Sequence, residues 1–195
     1  MHNDPSESCV CYDRTAPWIG FGFCQEQIRF IEYSAKFLCG EAREGVSVRP
    51  GTYETSINIH NPQLFVESVT FVKKAVLAPR QGDPQRFKPQ FRDKSELDAD
   101  YAERVDCKKI RDLLGPAGGD PFIEGFVVLV VLPIPWPREP RELDVVAVYT
   151  VDTPPRSISL EIKTIAPRIL SYPGQVGHAL RDRLLRQSKP ESRPQ

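Results

Sequence analysis

The chain has 195 residues, with 26 Lys or Arg balancing 26 Asp or Glu, so its formal net charge is zero. That length supports one large domain or two small ones without staples, and the balanced charge excludes a protein that holds nucleic acid by neutralising phosphates over its whole surface. Apolar residues make up 40% and charged residues 27%, and the longest apolar run, Phe126 to Leu132, is far short of the ~18 residues of a membrane span. The N-terminus, Met-His-Asn-Asp-Pro-Ser-Glu-Ser, has neither the basic nor the apolar region of a secretory signal, so a cytoplasmic protein is expected.

Residues 1–26 read as an N-terminal arm. Within it Trp18, Ile19, Phe21 and Phe23 lie in a glycine-containing stretch ahead of the first clear strand. Such side chains need cover. The arm either packs on its own sheet or reaches another subunit as an added strand.

The 19 prolines, about twice the usual ~5%, fall between apolar stretches and punctuate short strands. From Gln27 to Cys39 the residues Ile31, Tyr33, Ala35, Phe37 and Cys39 share one parity and Glu32, Ser34 and Lys36 the other, a half-buried strand that Gly40 ends. After Pro50-Gly51, Tyr53, Thr55, Ile57 and Ile59 alternate with Glu54, Ser56, Asn58 and His60 until Asn61-Pro62 breaks the run. Val66 to Ala78 is β-branched, and the short connection predicts antiparallel pairing with the preceding strand.

Pro79 to Lys94 reads as an extended connection, followed by a short strand at Tyr101–Val105. Asp106 is placed to cap a short helix with Ile110, Leu113 and Leu114 on its buried stripe and Gly115 at its end. Phe122–Leu132 and Leu143–Val151 are apolar on both parities, as central strands are when both faces are covered. The proline-alternating link between them, Pro133 to Pro140, favours a stiff polyproline II loop bearing Ile134 and Trp136. It either docks into a partner's groove or folds over its own sheet.

Ile158, Leu160 and Ile162 alternate with polar residues in a final strand that stops at Pro167. From Ala166 onward there are six Lys or Arg against two Asp or Glu. There Val176, Ala179, Leu180 and Leu184 recur near helical spacing, which makes a basic amphipathic tail that packs on the domain or on a partner. These elements predict a mainly β fold, an antiparallel β-sandwich of immunoglobulin-like or jelly-roll type, with one short helix and a C-terminal amphipathic helix. The boundaries are an arm at 1–26, a sandwich at 27–168 and a tail at 169–195.

The segments Pro50-Gly-Thr-Tyr-Glu-Thr-Ser-Ile-Asn-Ile-His-Asn-Pro62, Val69-Thr-Phe-Val-Lys-Lys74, Phe122-Ile-Glu-Gly-Phe-Val-Val128 and Leu143-Asp-Val-Val-Ala-Val-Tyr-Thr150 resemble a group of small, uncharacterised bacterial β-proteins. The likeness covers roughly Tyr33 to Arg168. More distantly, the strand order and the Asn-Pro hairpin are similar to the β-sandwich of the sensory rhodopsin transducer type, a soluble oligomeric binding module. The resemblance implies a β-sandwich with an interaction or assembly role and brings no catalytic residues.

Five cysteines are present. Cys9, Cys11, Cys24 and Cys39 offer four thiolates for Zn²⁺ or an iron–sulfur cluster, but they lack paired Cys-x₂-Cys knuckles. Unpaired thiols are the alternative, with Cys39 on the core parity of its strand. An odd count fits poorly with a secreted disulfide framework. Cys107, at a helix start beside Lys108 and Lys109, is either a thiol of lowered pKa or a structural cysteine. The histidines are His2, His60 and His178, and no common nucleophile, phosphate-loop or zinc-protease motif is present.

The function expected is therefore a non-enzymatic structural or adaptor protein without a cofactor. It would form a homo-oligomer or dock to another protein, with no specific nucleic acid and no membrane span. Its contact residues would be Trp18, Ile19, Phe21, Phe23, Ile134, Trp136, Leu180 and Leu184. The alternative is a thiol or metal protein built on the N-terminal cysteines.

Overall fold

A computed structural model describes residues 10–11, 24–25, 27–44, 48–63, 68–78, 89–133, 141–153, 155 and 157–188. In chain order the elements are β1 (Val10–Cys11), β2 (Cys24–Gln25), β3 (Gln27–Ala42), β4 (Gly51–His60), β5 (Val69–Leu77), β6 (Asp93–Leu97) and β7 (Ala102–Asp106). Helix α1 (Cys107–Leu114) and a 3₁₀ turn (Gly115–Gly119) follow. Then come β8 (Phe122–Val131), β9 (Asp144–Thr153), β10 (Ser157–Thr164), β11 (Arg168–Pro173) and α2 (Gly174–Gln187). The protein is mainly β, with one short helix and one C-terminal helix.

Every described strand pair is antiparallel. The main sheet runs β10-β9-β4-β3-β8-β5-β6, with β11 added to β3 and β7 to β4. Its two limbs meet where Gly40–Ala42 pair with Gly51–Tyr53. Beyond that junction β3 follows β8 from Ile31 to Gly40, while β4 follows β9 from Thr52 to His60. One core draws on both limbs and on α1: Phe37 and Leu129 from one, Ile57 and Val145 from the other, Ile110 and Leu114 from the helix.

The period-two pattern of β3 is obeyed as far as Cys39 and then shifts, leaving Ala42 buried. Gly40 makes the shift, with φ of 106°, and a Cβ there would lie 1.9 Å from the Pro121 carbonyl oxygen. Only glycine fits that left-handed, crowded position, so the strand passes through the residue that was expected to end it. Helix α1 follows expectation closely. The Asp106 carboxylate accepts from the Lys109 N–H, Gly115 closes the helix, and Ile110, Leu113 and Leu114 are buried.

Four expectations are corrected. β5 pairs with β6 and β8, not with β4, so the short connection after β4 crosses between limbs. A strand at Asp93–Leu97 begins inside the connection expected to run extended from Pro79 to Lys94, and Arg168–Pro173 is a strand beyond Pro167, paired with β3. β8 is covered on both faces only from Val127 onward, since Phe126 is 43% exposed, and Val146, Val148 and Thr150 on the outer face of β9 are only half-buried. The covering on β8's second face is α2, whose Leu184 joins Phe30, Val72 and Val130 in a separate cluster.

Candidate interaction edge and the ties between the limbs

β6 ends one limb and β7 flanks the other. A lysine spans the gap between them. Lys73 lies on the same parity of β5 as Phe71 and Ala75, so its side chain enters the core and is fully buried. Burying an ammonium is costly unless it is paired and hydrogen-bonded. Its Nζ is 3.0 Å from Asp93 Oδ2, donates to Ser95 Oγ at 2.7 Å, and contacts Glu103 Oε1 on β7. Lys109 of α1 also reaches Asp93, at 3.0 Å. Burial pushes the Asp93 carboxyl up, but hydrogen bonds and charge from Lys73 and Lys109 outweigh it and hold the group below the usual carboxylate range. The parity of Lys73 was the sequence signal for this cluster.

Two further ties join the limbs. Cys39 and Cys107 form a disulfide across 68 residues, and the Thr55 N–H donates to Cys107 Sγ at 3.2 Å. Cys39 is buried in the core as its parity required. Cys107 is thus a disulfide partner and not a free thiol. Between its pairings with β11 and β4, β3 is met by side chains: Thr55 Oγ1 donates to the Leu38 carbonyl and accepts from its N–H, both at 3.0 Å, and the Tyr149 hydroxyl donates to the Lys36 carbonyl at 3.0 Å. Burial and the nearby Glu161 charge raise the Tyr149 pKa.

Open clefts flank these ties. One of about 340 Å³ is lined by Lys36, Tyr53, Tyr149, Glu161 and Lys163, among others. Another of about 390 Å³ includes Glu54, Arg104, Cys107 and Lys108. His60 lies elsewhere, with Nε2 at 3.2 Å from Asp100 and Nδ1 at 3.4 Å from Asp144, which ties the end of β4 to β9 and to the turn before β7. Among the described residues its ring nitrogens meet carboxylates and not a serine or cysteine.

The residue group that differs most from a satisfied interior is β10. All eight of its residues are exposed. Ile158, Leu160 and Ile162 are 75%, 61% and 66% exposed and share the outer face with Asp152, Thr150 and Val148 of β9, their cross-strand partners. Among the described residues β10 pairs only with β9, and no described strand takes up its second edge, which lies next to the apolar stripe. Period two identified this strand in the sequence but left its exposure open, because alternation shows which residues share a face and not what covers it.

Trp18, Ile19, Phe21, Phe23, Ile134, Trp136 and Cys9 lie outside the described residues. Leu180 is half-buried and Leu184 is buried between α2 and this chain's own sheet, so the C-terminal half of the helix's apolar stripe is covered while Val176 and Ala179 are exposed. Cys11 and Cys24 are direct cross-strand partners on β1 and β2. Cys39 departs from the four-cysteine ligand set, since its sulfur is bonded to Cys107. Among the described residues no group of three or more His, Cys, Asp or Glu is arranged to hold a metal ion, and no helix is long and apolar enough to cross a membrane.

No family model, no curated protein and no solved structure matches the chain.

Proposed function

We propose that the protein is a non-enzymatic structural or adaptor protein whose two limbs act as the layers of a β-sandwich scaffold and which works by self-assembly or by docking to a protein partner. The observation that carries this reading is β10, an eight-residue edge strand exposed throughout, with Ile158, Leu160 and Ile162 in a row on one face. Exposed apolar edges are templates for another chain and are ordinarily blunted. Here Glu161 and Lys163 are the only charges, and both lie on the opposite face from the apolar stripe. The disulfide and the Lys73 cluster suit a rigid scaffold, because they fix the limb that carries this edge against the other. The N-terminal arm and the proline-rich loop remain contact elements of the same proposal.

A thiol or metal role is the second reading, favoured by the register that sets Cys11 opposite Cys24. Stoichiometric Zn or Fe in reductively purified protein would support it, and metal-free protein with ordinary thiol reactivity would remove it. The expected cytoplasmic setting is opposed by the Cys39–Cys107 disulfide, since reducing compartments keep such pairs open.

Sedimentation velocity tests the main reading on the full chain and on the triple variant Ile158→Thr, Leu160→Thr, Ile162→Thr, which keeps strand propensity while removing the apolar stripe. Particles at a multiple of 22.1 kDa that shift to the monomer in the variant support assembly through β10. A monomer for both proteins at every concentration removes self-assembly.

A further inference from the structure

We infer that β10 pairs with β10 of a second copy of this chain, antiparallel, about a two-fold axis through Leu160. The inference rests on the interaction reading above and specifies its partner. Directly opposed residues in an antiparallel pair point to the same side. An axis between two residues would therefore set Ile158 against Lys163 and Leu160 against Glu161, joining the apolar face of one copy to the polar face of the other. Axes through a residue keep like faces together, and two of them give the longest overlap of Ser157–Thr164.

The axis through Glu161 puts two carboxylates directly opposite each other, which is destabilising. The axis through Leu160 opposes Leu160 with Leu160 of the second copy and sets two reciprocal Ile158–Ile162 pairs beside it. On the other face it sets two reciprocal Ser159–Glu161 pairs, in which each hydroxyl can donate to a carboxylate. The stretch Ile-Ser-Leu-Glu-Ile is thus complementary to itself when reversed: apolar ends, an apolar centre, and a donor facing an acceptor at each intermediate position. The two copies share one continuous sheet through β4, β9 and β10. Because a two-fold pairing occupies both edges at once, the assembly closes as a dimer and does not extend into a fibre through this edge.

The test is the dimer dissociation constant of the full chain, measured by sedimentation equilibrium, with Ser159→Lys and Leu160→Lys variants whose folding is checked by circular dichroism. In the proposed register Ser159→Lys places two new ammonium groups opposite Glu161, and binding tightens about fivefold at low salt. Leu160→Lys sets two cations face to face and dissociates the dimer. In the Glu161 register position 159 faces Lys163, so weaker binding by Ser159→Lys overturns the proposed axis. A dimer indifferent to both substitutions places association elsewhere on the molecule and overturns the inference while leaving the interaction reading. A wild-type monomer at all concentrations overturns pairing with a second copy and leaves docking to a different protein.

Discussion

Inside the fold the Lys73 side chain is met by Asp93, Ser95 and Glu103, and the arrangement has consequences for stability. Lys73→Ala leaves Glu103 without its cation, Asp93 with Lys109 alone and a hole beside Phe71, so it should cost about 3–5 kcal/mol, read as a lower urea midpoint. Lys73→Met, which keeps the stem, should cost less, because Asp93 and Glu103 are each about a quarter exposed and can turn toward water. Asp93 is held below the carboxylate range, so its folded pKa lies under its unfolded value of ~3.9. Its contribution is therefore present above pH ~4 and lost as pH falls through the folded pKa. Asp93→Asn should accordingly flatten the acid limb of a stability–pH curve, and an unchanged limb would show that the cluster does not couple to folding. At the disulfide, a loop of 68 residues implies about 4 kcal/mol from the constrained unfolded chain. Replacing Cys39 and Cys107 by Ala should lower the midpoint correspondingly, and peptide mapping of the native protein should recover the two cysteines as one linked pair. At this scale parity was informative but incomplete. It placed Cys39 in the core, and the same parity places Lys73 there too, against the usual exposure of a lysine. Lys73 is buried because three partners converge from β6 and β7, which are distant in sequence.

Elements with their own local signals were legible. α1 carries its cap, stripe and stop within ten residues, and β3 and β4 alternate cleanly over most of their length. β6 and β11 were missed for a physical reason. Asp93–Leu97 is short and mostly charged, and it is a strand because Asp93 and Ser95 face Lys73 and Phe71 across the ladder. Arg168–Pro173 is read against a basic tail until its pairing with β3 is seen. The pairing of β5 was misassigned because a short connection favours neighbours, while in this fold it crosses from one limb to the other. α2 is held close to β3 by Gly177, where a Cβ would lie 2.3 Å from Ile28 Cβ. Gly177→Val should lift the helix and expose the Leu184 cluster, seen as increased binding of a hydrophobic dye. Leu184→Ala should cost about 2–4 kcal/mol through the cavity it leaves. Equal stability of both variants to wild type would mean that α2 does not close the sheet.

At the scale of the whole molecule, the ties between limbs and the exposed edge form one account: a braced β scaffold that leaves β10 open for another chain. The mainly β class was legible from proline spacing and alternation, whereas the open edge was not, since the order of strands in a sheet depends on contacts far apart in sequence. Amide hydrogen exchange across Ser157–Thr164, recorded at high and at low protein concentration, tests this most directly. The account predicts that β10 amides facing away from β9 are protected in concentrated protein and exchange rapidly on dilution, while β8 stays protected throughout. Rapid exchange of those amides at every concentration, or protection that dilution does not alter, would contradict it.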